Sequence, residues 1–150
     1  MIQIYKTEDG LLQQKDELSP GSWIALTNPT ATEILEIANT YRIDPDDLRA
    51  PLDEEERSRI QTEDHYTLIL VDVPTIEERN DKDWYVTIPM GIITTDETII
   101  TVCLEDTTVL NAFMDGRVRD FHTYMKTRFI LQILYKNASL YLSLIHISEP

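Results

Sequence analysis

The spacing of apolar positions changes along the chain, and each change marks a different element. At the start, IQIY (2–5) and LLQQ (11–14) flank Glu8-Asp9-Gly10. An Asp-Gly pair supplies the positive backbone angles of a tight turn, so the two runs predict a hairpin. Pro20-Gly21 makes a second turn before the apolar run WIAL (23–26), so two or three strands precede any helix. From Thr30 the period becomes helical. Thr30 and Glu33 have capping-box spacing, and Ile34, Ile37, Ala38 and Tyr41 fall on one face. Asp44-Pro45-Asp46-Asp47 then sets a capping side chain before a proline at the first helical position, with acids in the opening turn. Pro51 is expected to stop that second helix within two turns.

Strand patterns return after residue 56. RSRIQ is followed by HYTLILVDVP, in which Tyr66, Leu68, Leu70 and Asp72 alternate with their neighbours, then by WYVTIPMGIITTD and ETIITVCLE. Asp96-Glu97 between the last two reads as a hairpin turn, which predicts antiparallel pairing. ERNDKD (78–83) is expected to be a polar, mobile loop. A helix is predicted from Asp106 to Phe113, capped by Asp106 or Thr107 and ended at Gly116. A longer one is predicted from about Val118, with Phe121, Tyr124, Met125, Ile130, Ile133, Leu134 and Tyr141 forming a wide apolar stripe to pack on a sheet or another helix.

Composition narrows the function classes. The 150 residues suffice for one core, and 42% apolar with 27% charged residues is ordinary globular usage. Charge is not ordinary: 27 acidic residues face 13 basic ones, for a formal net charge of −14. Such a surface repels phosphate backbones, so nucleic acid is excluded as a partner, and cations or basic partners fit. No run reaches the roughly 18 to 20 consecutive apolar residues of a membrane-spanning helix. The segment 129–148 comes nearest but is interrupted by Gln132, Lys136, Asn137, Ser139, Ser143 and His146. Cys103, the single cysteine, sits in IITVCLE as a buried small hydrophobe, which precludes an intrachain disulfide and fits a reducing compartment. MIQIYKTEDG lacks the layout of a signal peptide, so a cytosolic location is expected.

Candidate chemistry is sparse. His65, His122 and His146 lie far apart, outside any HExxH, CxxC or Gly-x-Ser-x-Gly pattern, and four glycines cannot build a phosphate-cradling or dinucleotide loop. The chain is expected not to be an enzyme, and no catalytic or cofactor-binding residue is assigned. Asp53-Glu54-Glu55-Glu56 invites comparison with a metal site. A hard cation needs oxygens converging on one point, whereas consecutive residues fan out by about 100° on a helix or alternate sides on a strand. The run is expected to be a solvated turn, with Glu55 or Glu56 pairing with Arg57 and Arg59, and no metal ligand is assigned.

In order, Trp23-Ile24, a helix, the Ile43-Asp44-Pro45 step into a short helix, the Leu52 to Arg59 segment, a Tyr-rich strand, VCLE and FILQILYKNASLYLS resemble the N-terminal cytosolic domain of the CorA-like divalent metal ion transporters. The resemblance covers roughly Ile2 to Ser143. It implies an α/β (α+β) domain with a mixed, largely antiparallel sheet flanked by helices on both sides. It also implies a pentamer on the cytoplasmic side of the membrane, carrying magnesium, cobalt or nickel through a pore that lies beyond this chain. The stalk, the two membrane helices and the Gly-Met-Asn signature have no counterpart in these residues. Where some homologues place magnesium-sensing carboxylates, this sequence has Arg49, Ala50 and Tyr135, so sensing at those positions is not expected; Asp46, Asp47 and Asp53 lie a turn away and are not assigned. A zinc transporter of the ZntB kind, or an acidic interaction domain without a membrane half, are the rival readings. Residues 1–143 are thus read as one domain, and LIHISEP (144–150), which is similar to translated sequencing adapter, as a non-native tail.

Overall fold

The computed structural model describes residues 1–148, the side chains of 76–79, 83 and 145–148 apart. Seven strands form one sheet: β1 (Ile2–Glu8), β2 (Leu11–Lys15), β3 (Ser22–Thr27), β4 (Arg59–Thr62), β5 (Tyr66–Arg79), β6 (Lys82–Thr95) and β7 (Ile99–Cys103). Their spatial order is β2-β1-β3-β7-β6-β5-β4. All neighbours run antiparallel except β3 and β7, which pair in parallel with Trp23 opposite Ile99. The sheet is therefore mixed and largely antiparallel, as the resemblance implied.

Helices cover both faces. On one face lie α1 (Ala31–Tyr41), α2 (Pro45–Arg49) and a 3₁₀ turn at Ala50–Leu52; on the other lie α3 (Thr108–Met114) and α4 (Lys126–Ser148). Alternation along β3 divides its side chains between the two cores: Trp23 and Ala25 point to the α3–α4 side, Ile24 and Leu26 to the α1–α2 side. Both faces of this strand are covered, so nearly every residue is buried, and WIAL is a continuous apolar run rather than an alternating one. On the α3–α4 side, Trp23, Phe113, Phe121 and Phe129 meet edge to face or tilted at centroid distances of 4.5–6.5 Å. Burying each such ring contributes on the order of 2–3 kcal/mol. The buried Trp23 Nε1 donates to Thr101 Oγ1 at 2.9 Å.

The local signals account for most boundaries. Thr30 and Glu33 form the reciprocal capping box, Asp44 caps α2 by accepting from the Asp46 amide, and Thr107 caps α3 by accepting from Leu110. Asp9 and Gly10 both take positive φ at the first hairpin. Two expectations are corrected. The segment 78–83 is not a loop but the closed end of a ribbon in which β5 and β6 pair for fourteen residues; Asn80 and Asp81 turn the chain at φ 53° and 61°. The long helix does not begin near Val118. Residues 118–125 are held as turns because Thr123 exchanges hydrogen bonds with Thr7 (2.9 and 3.0 Å) and donates to the Gly21 carbonyl (2.7 Å). Lys126 then anchors α4 by donating to the Thr95 and Asp96 carbonyls. The segment read as a tail continues α4 through Ser148, and its last two residues lie outside the described ones.

Candidate functional site

The acidic residues singled out in the sequence gather on the α1–α2 side, where α2, the 3₁₀ turn and the 53–56 turn lead into the edge strand β4. Pro51 does not end the helical path abruptly. Pro51 is buried, with its ring against Gly91 of β6, which leaves room for it. Beyond that contact, residues 53–55 are exposed.

The acidic run is a turn held by its own backbone. Asp53 Oδ1 accepts from the Glu55 amide at 3.0 Å and its carbonyl from the Glu56 amide at 3.0 Å, while Glu56 pairs with Arg59. Asp53, Glu54 and Glu55 are exposed. Among the described residues, no group of three or more His, Cys, Asp or Glu side chains is placed to hold a metal ion.

Beside the run, one carboxylate is engaged rather than free. Asp47 accepts from the Tyr66 hydroxyl and from Gln61 Nε2 (3.2 Å), and Gln61 Nε2 also reaches Glu63 (2.7 Å). Tyr66 OH in turn accepts from the Asp44 amide at 3.3 Å. Burial, then donation to Asp47, raises the Tyr66 hydroxyl well above the ordinary tyrosine range. These groups line a hollow of about 280 Å³. Its carboxylates are used to tie α2 to β4 and β5, so their first role is to hold this edge of the sheet in shape. Sequence reading missed the network, because its members are spread from 44 to 66 and only the fold joins them.

Of Arg49, Ala50 and Tyr135, where ion sensing is not expected, the first two are neighbours and the third lies far from them. Arg49 ends α2 and pairs with Asp46 at 3.2 Å, which spends that carboxylate on a surface ion pair. Ala50 is buried in the α1–α2 core. Tyr135 lies on α4, across the sheet, and is 77% exposed. Of the histidines, His65 is exposed just before β5 and His122 lies tilted against Tyr124 with ring centroids 5.4 Å apart; the His146 side chain lies outside those described. Cys103 is buried, and desolvation pushes its thiol up to about 12, the reverse of an activated nucleophile.

The fold is a layered α/β scaffold with a carboxylate-rich edge. The CorA-like Mg2+ transporter protein family matches residues 20–146, and the chain belongs to that family. No curated protein matches in sequence. Among solved structures, the complete CorA magnesium transporter of Methanocaldococcus jannaschii is 17% identical with a TM-score of 0.76, over 97% of this chain and 47% of that one. The soluble domain of the same transporter gives 20% and 0.74, over 97% and 60%. The ZntB cytoplasmic domain of Vibrio parahaemolyticus gives 13% and 0.69, over 96% and 61%. The chain thus spans about half the length of the complete transporter it resembles, and at these identities the likeness is one of fold. Among the described residues, no helix is long and apolar enough to cross a membrane.

Proposed function

We propose that the chain is the cytosolic base of a divalent cation transporter of the magnesium, cobalt or nickel kind, with the pore in a part of the protein beyond these residues. The observation that carries this reading is the family match over 20–146 on a sheet whose two halves join through one parallel pair. The charge of −14 suits the role, since a strongly negative base raises the local concentration of cations at a pore entrance. Assembly as a pentamer on the cytoplasmic side of the membrane belongs to the same proposal. Arg49, Ala50 and Tyr135 favour a base that holds the assembly together over one that senses magnesium at those positions.

The test is uptake by the full-length protein that contains this domain. In cells stripped of their own magnesium uptake it is expected to restore growth at low magnesium. A protein that moves zinc and not magnesium would shift the reading to a ZntB-like transporter, which the similarity to the ZntB cytoplasmic domain keeps in view. If millimolar magnesium protected the assembled protein from proteolysis, the purely structural role of the base would be overturned.

A further inference from the structure

Between α3 and α4 the chain carries helical spacing in a conformation that is not helical. Phe121, Met125, Phe129 and Ile133 recur every fourth residue, the repeat of one stripe along a helix. The last two lie in α4, but the first two lie ahead of it. The backbone there is already partly wound. The Met125 amide donates to the His122 carbonyl at 3.1 Å, and the Phe129 amide to the Met125 carbonyl at 2.9 Å.

Bonds to other parts of the fold stop the winding. Thr123, fully buried, exchanges two hydrogen bonds with Thr7 of β1 and donates to the Gly21 carbonyl ahead of β3. Arg128 Nε and Gln132 Nε2 donate to the Asp120 and Arg119 carbonyls, each at 3.0 Å. In a helix those carbonyls would accept from the amides of residues 124 and 123 instead. The held conformation has costs. Asp120 sits at φ 55°, in the left-handed region. His122 Nδ1 is buried without a hydrogen-bond partner among the described residues, and Tyr124 and Met125 are exposed.

The anchors fall on both sides of the parallel pair. Thr7 and Gly21 belong to the β1–β3 part of the sheet, whereas Lys126, at the start of α4, donates to the Thr95 and Asp96 carbonyls of the β4–β7 part. Residues 123–126 thus fasten one part to the other beside the junction of β3 with β7. We propose that 117–125 is a two-state clasp: fastened as described, or released from Thr7 and Gly21 and wound onto α4 as about two further turns. Release lengthens α4 by roughly 10 Å at its first end and removes that tie between the two parts of the sheet. The fastened state dominates, because release also takes the Phe121 ring off Trp23 and Phe113, which it meets at 5.9 and 5.0 Å. The clasp is a property of this chain and stands apart from the transport reading.

Carbon-13 chemical shifts and amide hydrogen exchange on the chain read the two states. In the parent, the Thr7 and Thr123 amides are expected to exchange together, about tenfold faster than the Ile24 and Val102 amides in the middle of the sheet. Thr123→Val keeps the shape and removes the hydroxyl. It should move 119–125 to helical shifts and raise the helical signal in circular dichroism by about seven residues. Thr7→Val should act in the same direction from the other side of the clasp. Two changes at Asp120 should diverge. Asp120→Gly suits the left-handed angle and holds the clasp shut, whereas Asp120→Ala favours helix, so the released fraction should differ by about fivefold between them. If a valine variant unfolds globally, the Asp120 pair decides. Parent-like shifts over 119–125 in Asp120→Ala and in every folded valine variant would overturn the proposal. So would a released stretch that is disordered instead of helical, or Thr7 and Thr123 amides that exchange only with global unfolding.

Discussion

The ring of Pro51 occupies the space into which any side chain on Gly91 would project: a Cβ on Gly91 would lie 2.4 Å from Pro51 Cγ. Backbone conformation does not demand glycine there; the close approach of the 3₁₀ turn to β6 does. Gly91→Ala is therefore expected to destabilise the chain by about 1–3 kcal/mol through overpacking. Denaturant unfolding would measure it, and the double variant Gly91→Ala with Pro51→Ala should recover part of the loss. An alanine variant as stable as the parent would mean the turn shifts freely.

Trp23 Nε1 and Thr101 Oγ1 are both buried, on the two strands that pair in parallel. Thr101→Val keeps the shape and removes the acceptor, leaving an indole N–H without a partner. A loss of about 1–3 kcal/mol in chemical unfolding is expected. Thr101→Ser, which keeps the hydroxyl, should lose less.

Cys103 should be silent toward thiol reagents in the folded chain at neutral pH. Its thiol is buried and held up to about 12 by desolvation, then by Asp106 and Glu105. Labelling should follow global unfolding, appearing in denaturant with the same midpoint as the loss of secondary structure. Rapid labelling in native buffer would contradict the buried position in β7.

Glu33 gives the chain a defined acid response. The Thr30 amide, followed by the Met1 ammonium, holds its carboxyl below the usual glutamate range. Because the folded value lies below the unfolded one of about 4.3, the stabilisation is complete above that pH. It is lost as pH falls through the folded value. Glu33→Gln, which preserves capping-box chemistry, should flatten that part of the stability curve in an acid titration followed by urea unfolding. An unchanged acid limb would show that the carboxylate contributes nothing there.

Which of these features the sequence disclosed depends on how local their causes are. The α1 capping box, the Asp44-Pro45 entry to α2 and the Asp9-Gly10 turn are set by residues within four positions of one another, and all were legible. Tyr66, Leu68 and Leu70 fall on one face as their alternation required. The misses have distant causes. Phe121, Tyr124 and Met125 are spaced like a helix, yet Thr7 and Gly21, more than a hundred residues away, hold that stretch as turns. ERNDKD has loop composition, but Asn80 and Asp81 alone suffice to turn it, and cross-strand pairing claims the rest. At the candidate site the solvated character of 53–56 was readable from adjacency. The Tyr66–Asp47–Gln61 ties were not, because only folding makes those residues neighbours.

The single parallel ladder has a kinetic consequence. Every other strand pair joins segments that follow closely in the chain, but Trp23 must find Ile99, 76 positions further along. Closing so long a loop is entropically slow, so two antiparallel ribbons should assemble first and zip together last. The molecule carries its own line of cleavage: a pull or a mutation along β3 and β7 would part the first three strands from the last four while leaving each set paired within itself.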